Sequence, residues 1–366
     1  MKRKKRRLFI LIVAIIVVVS GFYGYNKYQE HKQREAQLQA QRANQLLLNN
    51  KKVKLIRDVS YGHSAPNSQM DIIMPSKMKK GEKLPVIFWT HGGGFIAGDK
   101  RHKNPYLAQI AEKGYIIVNV NYALAPDYQY PTPIQQLDQA TKYTLKHRNK
   151  FNIDYRQIVY GGDSAGAQIA SQYVALQTND KLQQQMRMKP SIKKDYLKAA
   201  ILFGGLYNMQ TVRATEFPRI DLFMTSYTGT KEWEQNFARI NQLSTVDQVT
   251  KDYPPTFLTV GDADPFDPQN REFDEVLKKQ GVQTTTTFFD GTHGLRHQYQ
   301  FHMNLKESKK NYNNVMMFLG ANTKQSPYEN NANQDSETVI KKMNNKKGKL
   351  REIRDEFAFF IIVLPS

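Results

Sequence analysis

Short apolar runs recur along the middle of the chain, and polar, amphipathic stretches separate them. Leu84–Thr90, Tyr115–Asn121, Ile158–Gly161, Ala199–Phe203 and Thr256–Val260 are rich in Ile, Val and aromatics. Runs of this kind suit strands buried on both faces of a mostly parallel sheet. Val53–Val59 and Met70–Met74 read as two earlier strands around a turn at 62–67, and Thr284–Phe289 as a last, Thr-rich one. Helical periodicity predicts helices over Pro105–Lys113, Pro133–His147, Ala165–Gln177, Asn270–Gln280 and His302–Leu319. Pro133 suits a first helical position, where its missing N–H costs nothing. Alternating strands and helices predict an α/β fold with a mostly parallel central sheet and helices on both faces. Residues 205–250 break that rhythm. They carry Phe217, Phe223, Met224, Tyr227 and Trp233 without a clear strand, which suits a small inserted cap lining an apolar acyl pocket or closing the core.

The N-terminus follows another pattern. Six cations, Lys2 to Arg7, precede an uncharged run of 18 residues from Leu8 to Tyr25. As a helix rising ~1.5 Å per residue this run covers about 27 Å, close to a hydrocarbon core of ~30 Å. It predicts a cytoplasmic basic tail and transmembrane anchor over residues 1–25, the run Leu8–Tyr25 spanning the membrane. The leading cations stay in the cytoplasm and the rest of the chain lies outside. The alternative is a signal peptide cleaved after Ser20 and a secreted product. Residues 26–52 read as a stalk, 53–319 as the folded domain, and 320–366, rich in Asn, Gln, Lys and Ser, as a disordered tail.

The chain's net charge of +20 looks at first like a nucleic-acid signal. Residues 1–57 hold 14 Lys/Arg against 2 Asp/Glu, whereas 58–319 hold 31 against 25. The excess is concentrated in the N-terminal segment, which marks topology and a membrane partner rather than nucleic acid. With no cysteine in 366 residues, disulfide frameworks, zinc–thiolate sites and cysteine nucleophiles are excluded.

Chemistry concentrates at strand ends. Gly162-Asp163-Ser164-Ala165-Gly166 lies between a strand and a helix, the setting in which G-x-S-x-G forms a sharp nucleophile elbow. His91-Gly92-Gly93-Gly94-Phe95 follows the strand Leu84–Thr90. Glycines there free backbone N–H groups to converge on a developing oxyanion. Gly92 and Gly93, with Ala165 after the serine, are the expected donors. A serine needs a base. Of eight histidines, His293 in Gly291-Thr292-His293-Gly294 stands just after the last strand and is the expected base. His297 and His302 are its rivals at the start of the last helix. Asp264, fixed by Pro265 after the strand Thr256–Val260, is the expected orienting acid, with Asp262 and Asp267 as rivals.

These elements, together with Asn121-Tyr122-Ala123-Leu124-Ala125-Pro126-Asp127, resemble the hormone-sensitive-lipase-like branch of the α/β-hydrolases over residues 55–319. The resemblance implies a carboxylesterase or lipase with the triad Ser164, Asp264 and His293 and an oxyanion hole at Gly92, Gly93 and Ala165. It implies acyl-enzyme chemistry on a small-molecule or lipid ester, with no metal or organic cofactor. An amidase or peptidase, or an inert binding protein on the same fold, is the alternative. The family's usual Arg and Glu after the fourth strand are Ala123 and Asp127 here, and a glycine that often follows the serine motif is Ala167.

Overall fold

The computed structural model describes residues 50–323, together with Arg6, Arg7, Ser20, Gly21, Gly24 and Lys27. The expected anchor and stalk lie almost wholly outside the described residues, as does the tail beyond 323. Among the described residues no helix is long and apolar enough to cross a membrane.

Eight strands form one sheet: β1 Val53–Ser60, β2 Gln69–Pro75, β3 Leu84–Thr90, β4 Ile116–Val120, β5 Ile153–Asp163, β6 Leu197–Phe203, β7 Thr256–Thr259 and β8 Thr284–Thr287. Their spatial order is β1-β2-β4-β3-β5-β6-β7-β8. β2 pairs antiparallel with both β1 and β4, and the remaining pairs are parallel. The main helices are α1 Asn104–Ala111, α2 Thr132–Lys146, α3 Ala165–Thr178, α4 Asp180–Met186, α5 Ile220–Thr228, α6 Asp267–Lys279 and α7 Lys306–Asn322.

The apolar runs supply side chains to both faces with a period of two. Val86 and Phe88 of β3, Ile116 and Val118 of β4, and Ile158 and Tyr160 of β5 pack on the face covered by α2, α3 and α6. Ile87, Trp89, Ile117 and Val159 turn to the other face, under α1 and α7. Burial on both sides is why these strands read as continuous apolar runs rather than as an alternation.

The chain runs from β3 out to β4 on one side, then returns to β5 on the other. Connections leaving the carboxyl ends of β3 and β5 therefore diverge and open a crevice between them, the place where open α/β sheets bind ligands. The glycine loop after β3 and Ser164 after β5 both border it. Between β6 and β7, residues 204–255 form only short helical pieces, α5 the longest of them. Of the large apolar residues expected there to line a pocket or close the core, Phe217 and Phe223 line a cavity, whereas Met224, Tyr227 and Trp233 are buried in the core.

Candidate active site

Ser164 sits at the turn between β5 and α3 with φ 54° and ψ −123°. A left-handed φ on a non-glycine residue is strained and persists only where the surroundings enforce it. Here its N–H donates to Phe203 O at 2.8 Å, extending the β5–β6 ladder, while its carbonyl accepts from Ala167 N at 2.9 Å and begins α3. The backbone must reverse within one residue. Gly166 allows this, because a Cβ there would lie 2.0 Å from the carbonyl oxygen of Thr90 at the end of β3. The sharp turn places Ser164 at the amino end of α3, whose dipole favours negative charge.

Asp264 is buried in the loop after β7, and its Oδ1 accepts from the backbone N–H of Phe266 at 3.0 Å. Its Oδ2 meets Nδ1 of His297 at 2.7 Å. The imidazole is wedged edge-on against Phe217 and Phe266, with ring centroids 4.8 Å and 5.6 Å away. With Nδ1 committed to Asp264, the second nitrogen, Nε2, remains for chemistry. His297 and Ser164 line one cavity of about 310 Å³, together with Gly93, Gly94, Phe223 and Ile220 among others.

The structure does not bring His293 to Asp264, and here the expectation from sequence is corrected. His293 Nδ1 lies 3.2 Å from Asp290 and 3.5 Å from Asp262, and its backbone N–H donates to Asp262 at 2.8 Å. It does not line the cavity that holds Ser164. The reason is the path of the loop. Asp262 also accepts from Leu295 N at 2.7 Å, which pins residues 293–295 outside the crevice and lets the chain enter it at His297. Burial opposes ionisation of Asp262, but these N–H groups outweigh it and hold its pKa low. The rival acid Asp267 begins α6 and pairs with Arg271 at 2.7 Å, and the rival base His302 follows a short turn at Tyr299–Phe301.

The glycine loop is also shifted by one residue from expectation. Gly92 N donates to Asp163 Oδ2 at 3.1 Å, so this donor is already taken, and Gly92 does not line the cavity. Gly93 and Gly94, with φ 131° and 61°, do line it, as does Ala165. His91 braces the loop from beneath. It is fully buried, stacks on Tyr122 at 4.5 Å and places Nδ1 2.8 Å from Gly92 O. Burial pushes its pKa down to about 4, so the ring is neutral.

The sequence position of Asp163 does not single it out, although it lies inside the serine motif. Its carboxylate is fully buried. Oδ1 accepts from Trp89 Nε1 at 3.0 Å, and Oδ2 accepts from Gly92 N and from Gln298 Nε2 at 2.7 Å. Lys103 Nζ lies 3.0 Å away and also donates to Gln298 Oε1. The cluster ties together the glycine loop, the elbow and the loop that carries His297. Nothing in the sequence marks Gln298 for this role, since its only signal is its position beside His297.

Comparison with known proteins places this chain in a family. The chain is 25% identical over 237 residues to the esterase LipQ of Mycobacterium tuberculosis, covering 63% of this chain and 54% of that protein. It is 25% identical over 226 residues to an acetyl esterase of Salmonella choleraesuis, covering 58% and 65%. The chain thus spans about half to two thirds of the length of the curated relatives it matches. Among solved structures, esterase B of Lactobacillus rhamnosis superposes with a TM-score of 0.66 at 19% identity, covering 82% of this chain and 98% of that one. A bacterial heroin esterase superposes with a TM-score of 0.61 at 22% identity, covering 74% and 85%. These likenesses show the α/β-hydrolase fold. The BD-FAE family model matches residues 70–276, more than half of the sequence and the part that carries both the glycine loop and Ser164, and the chain belongs to the BD-FAE family.

Proposed function

We propose that the protein is a serine carboxylesterase in which Ser164 is the nucleophile, His297 the base and Asp264 the residue that orients it. The observation that carries the proposal is the 2.7 Å contact between Asp264 and His297, made at the wall of the cavity that holds Ser164. Ser164 Oγ attacks the ester carbonyl and its proton passes to His297 Nε2. Asp264 accepts from Nδ1–H, fixing the tautomer and stabilising the imidazolium. N–H groups of Gly93, Gly94 and Ala165 receive the oxyanion, an interaction that typically contributes about 3 kcal/mol per donor in such sites. The alcohol leaves with the proton from His297, and water repeats the sequence on the acyl-enzyme.

Phe217, Ile220, Phe223 and Phe266 favour an apolar acyl group, and a volume of about 310 Å³ keeps it short. Esterase B of Lactobacillus rhamnosis, one of the matching structures, was crystallised with a C4-C4 tributyrin phosphonate inhibitor, which supports the same preference here. The N-terminal run Leu8–Tyr25 is proposed to anchor the chain in the cell membrane with this domain outside. Turnover of p-nitrophenyl acetate and butyrate, with labelling of Ser164 by a fluorophosphonate, tests the reading. A wild-type protein that neither labels nor turns over these esters would overturn it.

A further inference from the structure

Charge is unevenly divided between the two ends of the sheet. At the amino ends of the parallel strands lie segments 50–52, 76–83, 112–115, 147–152, 187–196 and 251–255. They hold 14 Lys/Arg against 4 Asp/Glu, a net +10. At the carboxyl ends lie 91–103, 121–131, 204–219, 229–239, 260–266 and 288–305, which hold 8 against 8. The domain's whole positive excess therefore faces away from Ser164. It is densest between β2 and β3, where Lys77, Lys79, Lys80 and Lys83 are exposed and take no ion-pair partner among the described residues. With Arg156, which pairs with Asp154, and with Glu82 and Glu112, they line an open cleft of about 1130 Å³ in which the cations outnumber the carboxylates.

The chain enters the domain at this same end. Val53, the first residue of β1, pairs with Pro75, the last of β2, and the Lys-rich 76–83 segment follows directly. The 24 residues between Tyr25 and Asn50 could span at most about 80 Å. A tether that long leaves the domain's orientation to be settled by its surface.

We propose that this basic face seats on the anionic phospholipid headgroups of the membrane that holds the N-terminal segment, turning the mouth of the Ser164 cavity away from the bilayer. The proposal rests on the anchor reading for the tether, and its charge argument is independent of the catalytic assignment. Each cation near an anionic leaflet strengthens attachment roughly fivefold, and several acting together suffice to orient a tethered domain. β3 has seven residues, so the cavity mouth stands about 20 Å or more above the seated face. The ester must then arrive from the aqueous side, as a soluble molecule or on a polymer, and not by diffusion within the same bilayer.

The test uses the full-length protein, whose lack of cysteine permits single-site labelling. A fluorophore is placed on Ser76→Cys at the basic face or on Gln210→Cys at the opposite end. Each protein is reconstituted in phosphatidylcholine nanodiscs with and without 30 mole per cent phosphatidylglycerol, and quenching by a headgroup-attached quencher is read. The expected result is strong quenching at position 76 only, dependent on phosphatidylglycerol, abolished by 0.5 M salt and by K77E/K79E/K80E/K83E. That variant should turn over soluble esters at the wild-type rate. Equal quenching in both lipids, insensitivity to the four substitutions, or stronger quenching at position 210 would overturn the proposal. So would capture of a soluble polyphosphate with no lipid-dependent approach. Failure to enter phosphatidylcholine discs would overturn the anchor alone. Salt-sensitive flotation of the wild-type chain, but not the variant, with phosphatidylglycerol vesicles would then still support the basic face.

Discussion

Gln298 Nε2 donates to Asp163 Oδ2 at 2.7 Å, joining the residue after His297 to the residue before Ser164. These two loops are separated by 135 positions in sequence. The same carboxylate oxygen accepts from Gly92 in the glycine loop and meets Lys103. A fully buried carboxylate is costly unless paired and hydrogen-bonded, and Asp163 is satisfied on both oxygens. In the proposed mechanism it thereby fixes three loops relative to one another.

Gln298→Ala should therefore lower kcat by about tenfold with little change in KM, at a stability loss of roughly 1–3 kcal/mol for the two missing hydrogen bonds, to Asp163 and from Lys103. Gln298→Glu should be far worse. It replaces the donor to Asp163 with a second carboxylate at a part-buried site, leaving Lys103 as the one cation between two like charges. Steady-state kinetics and urea unfolding of the two variants check this. An alanine variant more damaged than the glutamate variant would contradict the positioning role.

His297→Ala should reduce ester turnover by roughly 10⁴-fold or more, as loss of a triad base does. His293→Ala should stay within about tenfold of wild type, because His293 touches Asp262 and Asp290 at the protein surface and not the cavity. Ser164→Ala should match His297→Ala. Circular dichroism on all three separates loss of chemistry from loss of fold.

Much of this site is legible in the sequence, and the errors share a physical origin. Ser164 directly follows β5, and Asp264 stands in the short loop between β7 and α6, so their placement is set by local pattern: an apolar run, a turn, then a helix. His297 follows no strand directly. Helical periodicity in the sequence begins the last helix at His302, but α7 begins at Lys306, and residues 288–305 form one long connection. Which histidine of that connection enters the crevice depends on Asp262 capturing the N–H groups of His293 and Leu295, and on Ala263 N donating to Leu295 O at 2.9 Å. Those contacts span some thirty residues and leave no periodicity behind. The one-residue shift in the glycine loop is similar. Three glycines in a row look equivalent in sequence, and only the capture of Gly92 N by Asp163 breaks the tie. Hydrophobic period reports which face a residue occupies, but it does not report which backbone donor a distant carboxylate has claimed.

Gly166→Ala should prevent folding or destabilise by more than about 3 kcal/mol, since the added Cβ would meet the Thr90 carbonyl oxygen at 2.0 Å and neither backbone has room to yield. Gly281→Ala is the matched control. Its φ is 77° but nothing lies within 4 Å of the point a Cβ would occupy, so only backbone strain of about 1 kcal/mol is expected. Thermal melts of both variants distinguish a packing requirement from a conformational one.

His91 makes the fold sensitive to acid. Its pKa is pushed down to about 4 by burial, from an ordinary value of 6.5. The nearby Asp163 and Asp99 act in the opposite sense and do not cancel that effect. Between those two values the unfolded chain binds a proton at this residue and the folded chain does not. Stability therefore rises with pH through this window, is fully present above about 6.5, and is lost as the pH falls towards 4. A shift of this size corresponds to roughly 3 kcal/mol, on the basis of about 1.4 kcal/mol per pKa unit. His91→Asn retains a side chain able to donate to Gly92 O but cannot titrate. Its unfolding free energy should fall less than that of the wild type between pH 7 and pH 4, by about that amount. Other titrating groups, including His102, whose pKa burial also lowers, are common to both proteins and cancel in the difference. Denaturant unfolding at half-unit pH steps measures it. Parallel wild-type and His91→Asn profiles would show that His91 accepts its proton in the folded state as readily as in the unfolded chain.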